Sequence, residues 1–123
     1  MTWLAIALGG ALGALSRYSL IQWLPPISTG FPWATFVANI LGAVLIGISY
    51  VLIVEKGIIP LAWRPLVMVG FLGALTTFST FSLDAYLLWQ MGQGINAVVY
   101  VMASVLGCIA CTTVTVLTLQ KLV

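Results

Sequence analysis

The chain has no histidine, two cysteines, and four basic and two acidic residues among 123. Each shortage removes a class of function. Without histidine there is neither the commonest general base nor the commonest metal ligand. Glu55 and Asp84 have no neighbouring partner set resembling a hydrolytic site, so no enzyme is expected. Cys108 and Cys111 form a C-x-x-C, but in an apolar, threonine-rich run with no His or further Cys to complete a metal site. They read as two small thiols packing one helix face. Arg17, Lys56, Arg64 and Lys121 are too sparse for a nucleic-acid footprint, so no nucleic-acid partner is expected. Charged residues make up 5% of the chain, against about 25% in an ordinary soluble domain.

What fills the chain instead is apolar. Hydrophobic residues are 63% of it, and the mean hydropathy is +1.22. Uncharged apolar stretches recur along the whole length, with no polar block long enough to fold beside them, so residues 1–123 read as one integral membrane domain. Met1-Thr2-Trp3 offers no basic n-region and the stretch behind it no convincing cleavage site, so the first helix is expected to be retained.

Hydropathy and turn residues place four transmembrane helices at about 3–24, 33–54, 64–90 and 95–119. Pro25-Pro26 and Gly30-Phe31-Pro32 bracket the first connection, Glu55-Lys56-Gly57 and Pro60 mark the second, and Gly92-Gln93-Gly94 the third. Trp3, Trp23, Trp33, Trp63 and Trp89 each fall at a span end, where an indole can sit at headgroup level. Gly9-x-x-x-Gly13, Ala43-x-x-x-Gly47 and Gly70-x-x-x-Ala74 set small residues one turn apart, a device for close helix packing in lipid. Lys56, Arg64 and Lys121 fall on the side of the termini and Arg17 toward the other, a slight bias toward termini inside.

Polar residues at membrane depth are the functional candidates. Arg17 and Asp84 lie within the first and third spans at similar distances from the same membrane face, which predicts that they meet or share a wet cavity. Asn39 could be interhelical glue or a ligand donor. Tyr100, Ser104, Cys108, Cys111, Thr115 and Thr118 follow one another at spacings of three and four, so they line one face of the fourth helix, as a polar path or as hydroxyls bonding back to their own backbone. Residues 70–82, GFLGALTTFSTFS, are dense in glycine and hydroxyls at mid-span, which reads as an interrupted helix. Phe78 and Phe81 can share a face there, with ring edges of positive character.

The string Gly73-Ala-Leu-Thr-Thr-Phe-Ser-Thr-Phe-Ser82, preceded by Trp33-Ala-Thr-Phe-Val-Ala-Asn39, resembles the Fluc (CrcB-type) fluoride channels, and the likeness covers essentially the whole chain. It implies an all-α membrane protein with a break in the third helix, working as a homodimer of subunits inserted antiparallel in dual topology. It also implies passive, selective fluoride export across the cell (inner) membrane. By position, Asn39, Phe78, Phe81, Tyr100 and Ser104 match the family's fluoride pathway. Gly73 and Thr76 match the break whose backbone carbonyls, shared between subunits, hold a structural sodium ion. Arg17 and Asp84 match positions bearing a basic and an acidic residue.

A dry route for fluoride must replace its tightly held water with hydrogen-bond donors, which Asn39, Thr80, Ser104 and ring edges can supply. The competing reading is a small multidrug-type, proton-coupled antiporter, also a four-span dimer. It would need a protonatable carboxylate in its cavity, for which only Asp84 is placed. A nonconducting subunit of a larger membrane assembly is the structural alternative.

Overall fold

The computed structural model describes all 123 residues. Four helices are long and apolar enough to cross a membrane: Thr2–Trp23, Trp33–Glu55, Leu61–Gln90 and Gly94–Leu122. They meet the expected boundaries to within a few residues, and all five tryptophans are exposed at their ends. The second span is α-helical over Trp33–Ser49 and continues with the wider π winding over Tyr50–Glu55. The third begins with a 3-10 turn at Leu61–Trp63, widens to π winding over Pro65–Leu72, and returns to α-helix at Gly73–Leu75 and Phe78–Gln90.

Each reversal is built from residues that cannot continue a helix. After Trp23 the chain turns extended at Leu24, passes Pro25 and Pro26, and makes one 3-10 turn that ends at Gly30 with φ +97°. That left-handed value suits glycine alone among common residues. Gly92, at φ +73°, does the same between the third and fourth spans. These two connections lie at the same end of the bundle and touch: a side chain on Gly30 would meet Asn96 and Gln93 at about 3 Å.

Packing follows two patterns. The first span runs alongside the Pro65–Leu75 part of the third span, and its only buried residues are Gly9 and Gly13. A Cβ at Gly9 would strike the Leu66 carbonyl, and one at Gly13 the Phe71 carbonyl. In return, a Cβ at Gly70 would lie 2.6 Å from the Ile6 carbonyl oxygen. The small-residue motifs therefore set backbone against backbone within one chain. Leu4, Leu8, Leu12 and Leu15 face outward, at no penalty where the solvent is hydrocarbon.

The second and fourth spans also run in the same direction. Gly47 admits Thr115, the Thr112 hydroxyl donates to the Ala43 carbonyl at 2.9 Å, and Gln120 donates to Glu55 at 2.8 Å. At the end nearest the first connection, Phe81, Leu88, Ala97 and Tyr100 form the one compact apolar core, with Phe31 and Phe36 packed against it. Phe31 meets Tyr100 edge-on at 5.4 Å and Phe36 at 5.3 Å, the arrangement the aromatic quadrupole favours.

Candidate functional site

Helical geometry is suspended at two residues of the third span. Thr76 lies at φ −86°, ψ 157° and Thr77 at φ −157°, ψ 127°, both extended, between the turn that ends at Leu75 and the helix that starts at Phe78. Local chemistry favours this. The Thr77 hydroxyl accepts the Thr80 N–H at 3.2 Å, the N-cap bond that starts a helix. The Thr76 hydroxyl donates back to the Leu72 carbonyl at 2.8 Å and closes the preceding turn.

Two extended residues inside an apolar bundle leave backbone groups that must find partners. Asn39 supplies two of them. Its Nδ2 donates to the Thr77 carbonyl at 3.1 Å, and its Oδ1 accepts the Thr77 N–H at 2.8 Å, so one amide side chain pairs with the residue as a neighbouring strand would. This fills the acceptor of Asn39 and one of its two donors, leaving one N–H.

The same bonds release two carbonyls. In a continuous helix the Gly73 carbonyl would accept from Thr77 and the Thr76 carbonyl from Thr80, but those N–H groups go to Asn39 and to the Thr77 hydroxyl. Oxygens of this kind suit a hard cation. The Thr76 oxygen is approached by Arg17, whose Nη1 donates to it at 3.5 Å. No three side chains among His, Cys, Asp and Glu gather anywhere in the chain, so a cation site here would rest on carbonyls.

Beside the break an open groove of about 520 Å³ runs between the second, third and fourth spans. Asn39, Gly73, Thr76, Phe78, Phe81 and Ser104 all border it. The two phenylalanine rings lie 5.4 Å apart, tilted by 41°. Phe81 is buried and backed by Tyr100 at 5.3 Å, whereas Phe78 is 78% exposed. Ser104 is only 4% exposed, and its hydroxyl has no hydrogen-bond partner within the chain. A buried hydroxyl left unpaired is costly enough to mark a place where something else can bind. No charged side chain borders the groove.

The other sequence candidates stand outside it. Thr80 shares its hydroxyl and its N–H with Thr77 and belongs to the helix cap. Tyr100 is fully buried behind Phe81. Arg17 and Asp84 do not pair: Arg17 turns to the Thr76 carbonyl, while Asp84 accepts from Thr35 at 2.6 Å and from Tyr100 at 3.4 Å. Thr35 was not singled out in the sequence, although it lies one turn before Asn39 on the same helix face. The polar stripe of the fourth span also divides. Cys108 borders the groove, Thr115 packs on Gly47, and Thr118 is exposed.

Residues 4–116 match the family model described as CrcB-like protein, Camphor Resistance (CrcB). A protein named fluoride-specific ion channel FluC from Saccharophagus degradans is 51% identical over 122 residues, covering 98% of this chain and 91% of that protein. One of the same name from Hahella chejuensis is 49% identical over 105 residues, 85% of this chain and 83% of its own. Another, from Geobacter metallireducens, is 45% identical over 123 residues, 99% of each chain.

Proposed function

The chain belongs to the CrcB family, and from that premise we propose that the groove beside the third-span break is half of a fluoride pathway, completed by a second copy of the same chain. The protein is a fluoride-specific ion channel, a multi-pass protein of the cell membrane that lets fluoride leave passively. The observation that carries the assignment of the route is the groove lining. Asn39, Phe78, Phe81 and Ser104 border it together, with no fixed charge among the lining residues.

This lining suits conduction rather than capture. Fluoride sheds its water only if donors replace it, and the free Asn39 N–H and the unpaired Ser104 hydroxyl are such donors. Phe78 and Phe81 add the positive edges of their rings. A guanidinium or ammonium among the lining side chains themselves would bind the ion more tightly than a channel can release it. Tyr100 and Thr80 act one step back in this reading, Tyr100 by backing the Phe81 ring and Thr80 by holding the cap.

The groove is open along one side, and Phe78 projects from it uncovered. A second subunit inserted in the opposite orientation, in an antiparallel dual-topology homodimer, would cover that side. It would also set the Gly73 and Thr76 carbonyls of one chain toward those of its partner. The Gly73 and Thr76 oxygens of one chain are too few for a bare alkali ion, and two chains would bring four of them. That supports a structural sodium ion held by Gly73 and Thr76, whose charge would favour the nearby anion. Arg17 stands at the same carbonyl as a second positive group, and Asp84 orients Thr35 and Tyr100.

The proton-coupled antiporter reading is not favoured. Its one candidate carboxylate, Asp84, is not among the groove-lining residues and is held by two hydroxyls. The deciding experiment is efflux from proteoliposomes loaded with fluoride or chloride, with a potassium ionophore to prevent charge build-up and protein-free vesicles as control. Fast fluoride release with negligible chloride release is expected. Equal release of both ions, or none from verified dimer, would refute the assignment.

A further inference from the structure

Cys108 is the groove-lining residue whose chemistry fluoride conduction leaves unused. It is a free thiol, half-buried, on the fourth span, and it borders the groove together with the apolar Ile109 and Val105. Ser104 lies one turn before it on the same helix face, about 6 Å along the axis. The Ser104 hydroxyl is enclosed by the protein and has no partner. A soft thiol and an unpaired hard oxygen donor therefore border one cavity, where the Met68 thioether, a far weaker ligand than a thiolate, is the only other sulfur. Cys111, three residues on, is equally free but does not border the groove.

We infer that Cys108 is a modification site for small thiophilic electrophiles, organomercurials above all, and that its adduct obstructs the anion route. With methylmercury chloride the Hg–Cl bond breaks and a sulfur–mercury bond forms at Sγ. Chloride leaves, the thiol proton passes to water, and no electron is transferred. The groove volume of about 520 Å³ leaves room for the methylmercury group. Once bound, it stands beside Ser104 and replaces open space with an apolar cap where an ion would have to pass. The obstruction rests on the assignment of the groove as the fluoride route, whereas the reactivity of the thiol does not.

The test uses the intact protein, wild type and the Cys108→Ser and Cys111→Ser variants, treated with methylmercury chloride. Intact mass spectrometry and fluoride efflux from proteoliposomes are the two readouts. The first adduct is expected on wild type and on Cys111→Ser but not on Cys108→Ser. Treated wild type and Cys111→Ser should lose most of their own untreated flux and regain it with excess dithiol, while Cys108→Ser keeps its own. A first adduct that disappears with Cys111→Ser, or no adduct on folded protein that reacts once denatured, overturns the site. Full labelling at Cys108 with unchanged flux overturns the obstruction. If untreated protein releases no fluoride, the channel assignment fails on its own, and the mass readout still decides the thiol.

Discussion

The two parts of the third span, before and after Thr76, are fastened to the bundle by opposite means. The earlier part lies against the first span through Gly9, Gly13 and Gly70, where almost nothing separates one backbone from the other. The later part is held by side chains: Phe81 on Tyr100, Asp84 on Thr35, and the Thr77 backbone on Asn39. Glycine contacts make a fit with no adjustable element, because a backbone cannot change rotamer. Side-chain contacts can be varied one atom at a time, and Phe78 and Phe81 of this part border the groove. A rigid strut and a tunable arm meet at the two extended threonines.

The sharpest way to break this contrast is to put a side chain into the strut. Gly13→Leu should cost about 3 kcal/mol or more, since even a Cβ strikes the Phe71 carbonyl. It should be seen as loss of the monodisperse protein peak in detergent, and tolerance of leucine there would show that the strut can yield. Asn39→Asp comes next. It keeps the acceptor for the Thr77 N–H but replaces the donor to the Thr77 carbonyl with an oxygen, at about 2 kcal/mol. Fluoride flux should fall sharply while the dimer survives on size exclusion, and unchanged flux would remove Asn39 from the route.

Phe81→Ile and Phe78→Leu sharpen the contrast within the arm. Phe81 is buried, so its replacement should lower thermal stability by about 1 kcal/mol as well as flux, whereas exposed Phe78 should affect flux alone. Arg17→Ala and Asp84→Ala, each with its own partner, should add in the double variant to within about 0.5 kcal/mol. A larger coupling would restore the direct pairing that the sequence suggested. The smallest change in the isolated chain is expected of Gly73→Ala. A Cβ there meets only the Met68 carbonyl oxygen, at 3.9 Å. Its cost to the fold should stay within about 0.5 kcal/mol, so a pronounced loss of dimer would report on a partner or an ion at that carbonyl.

Features governed by averages over many residues were legible in the sequence. Hydropathy, Pro/Gly punctuation and tryptophan placement marked the four spans, because partition between lipid and water acts over a whole helix. Glycine and threonine density pointed to residues 70–82, where Thr76 and Thr77 are extended. What escaped was set by single side-chain directions. Arg17 is long enough to reach several partners, and its depth alone could not choose the Thr76 carbonyl over Asp84. By residue type alone Thr80 reads as a free donor, whereas the T-x-x-T spacing of Thr77 and Thr80 makes it part of a helix cap. The π winding at Tyr50–Glu55 and Pro65–Leu72 has no counterpart in residue type or spacing.

The two extended threonines also divide one helix macrodipole into two. The turn ending at Leu75 presents carbonyls, with the character of about half a negative charge, and the helix starting at Phe78 presents N–H groups with about half a positive one. An uninterrupted helix would have cancelled both in its own interior. Here Arg17 already answers the negative end at Thr76, while the positive end opens beside Phe78 and the groove. Because the opposed ends lie so close, their fields cancel again within a few residues. Ions of both signs can thus find a local welcome in a bundle that shows almost no field to the solution outside.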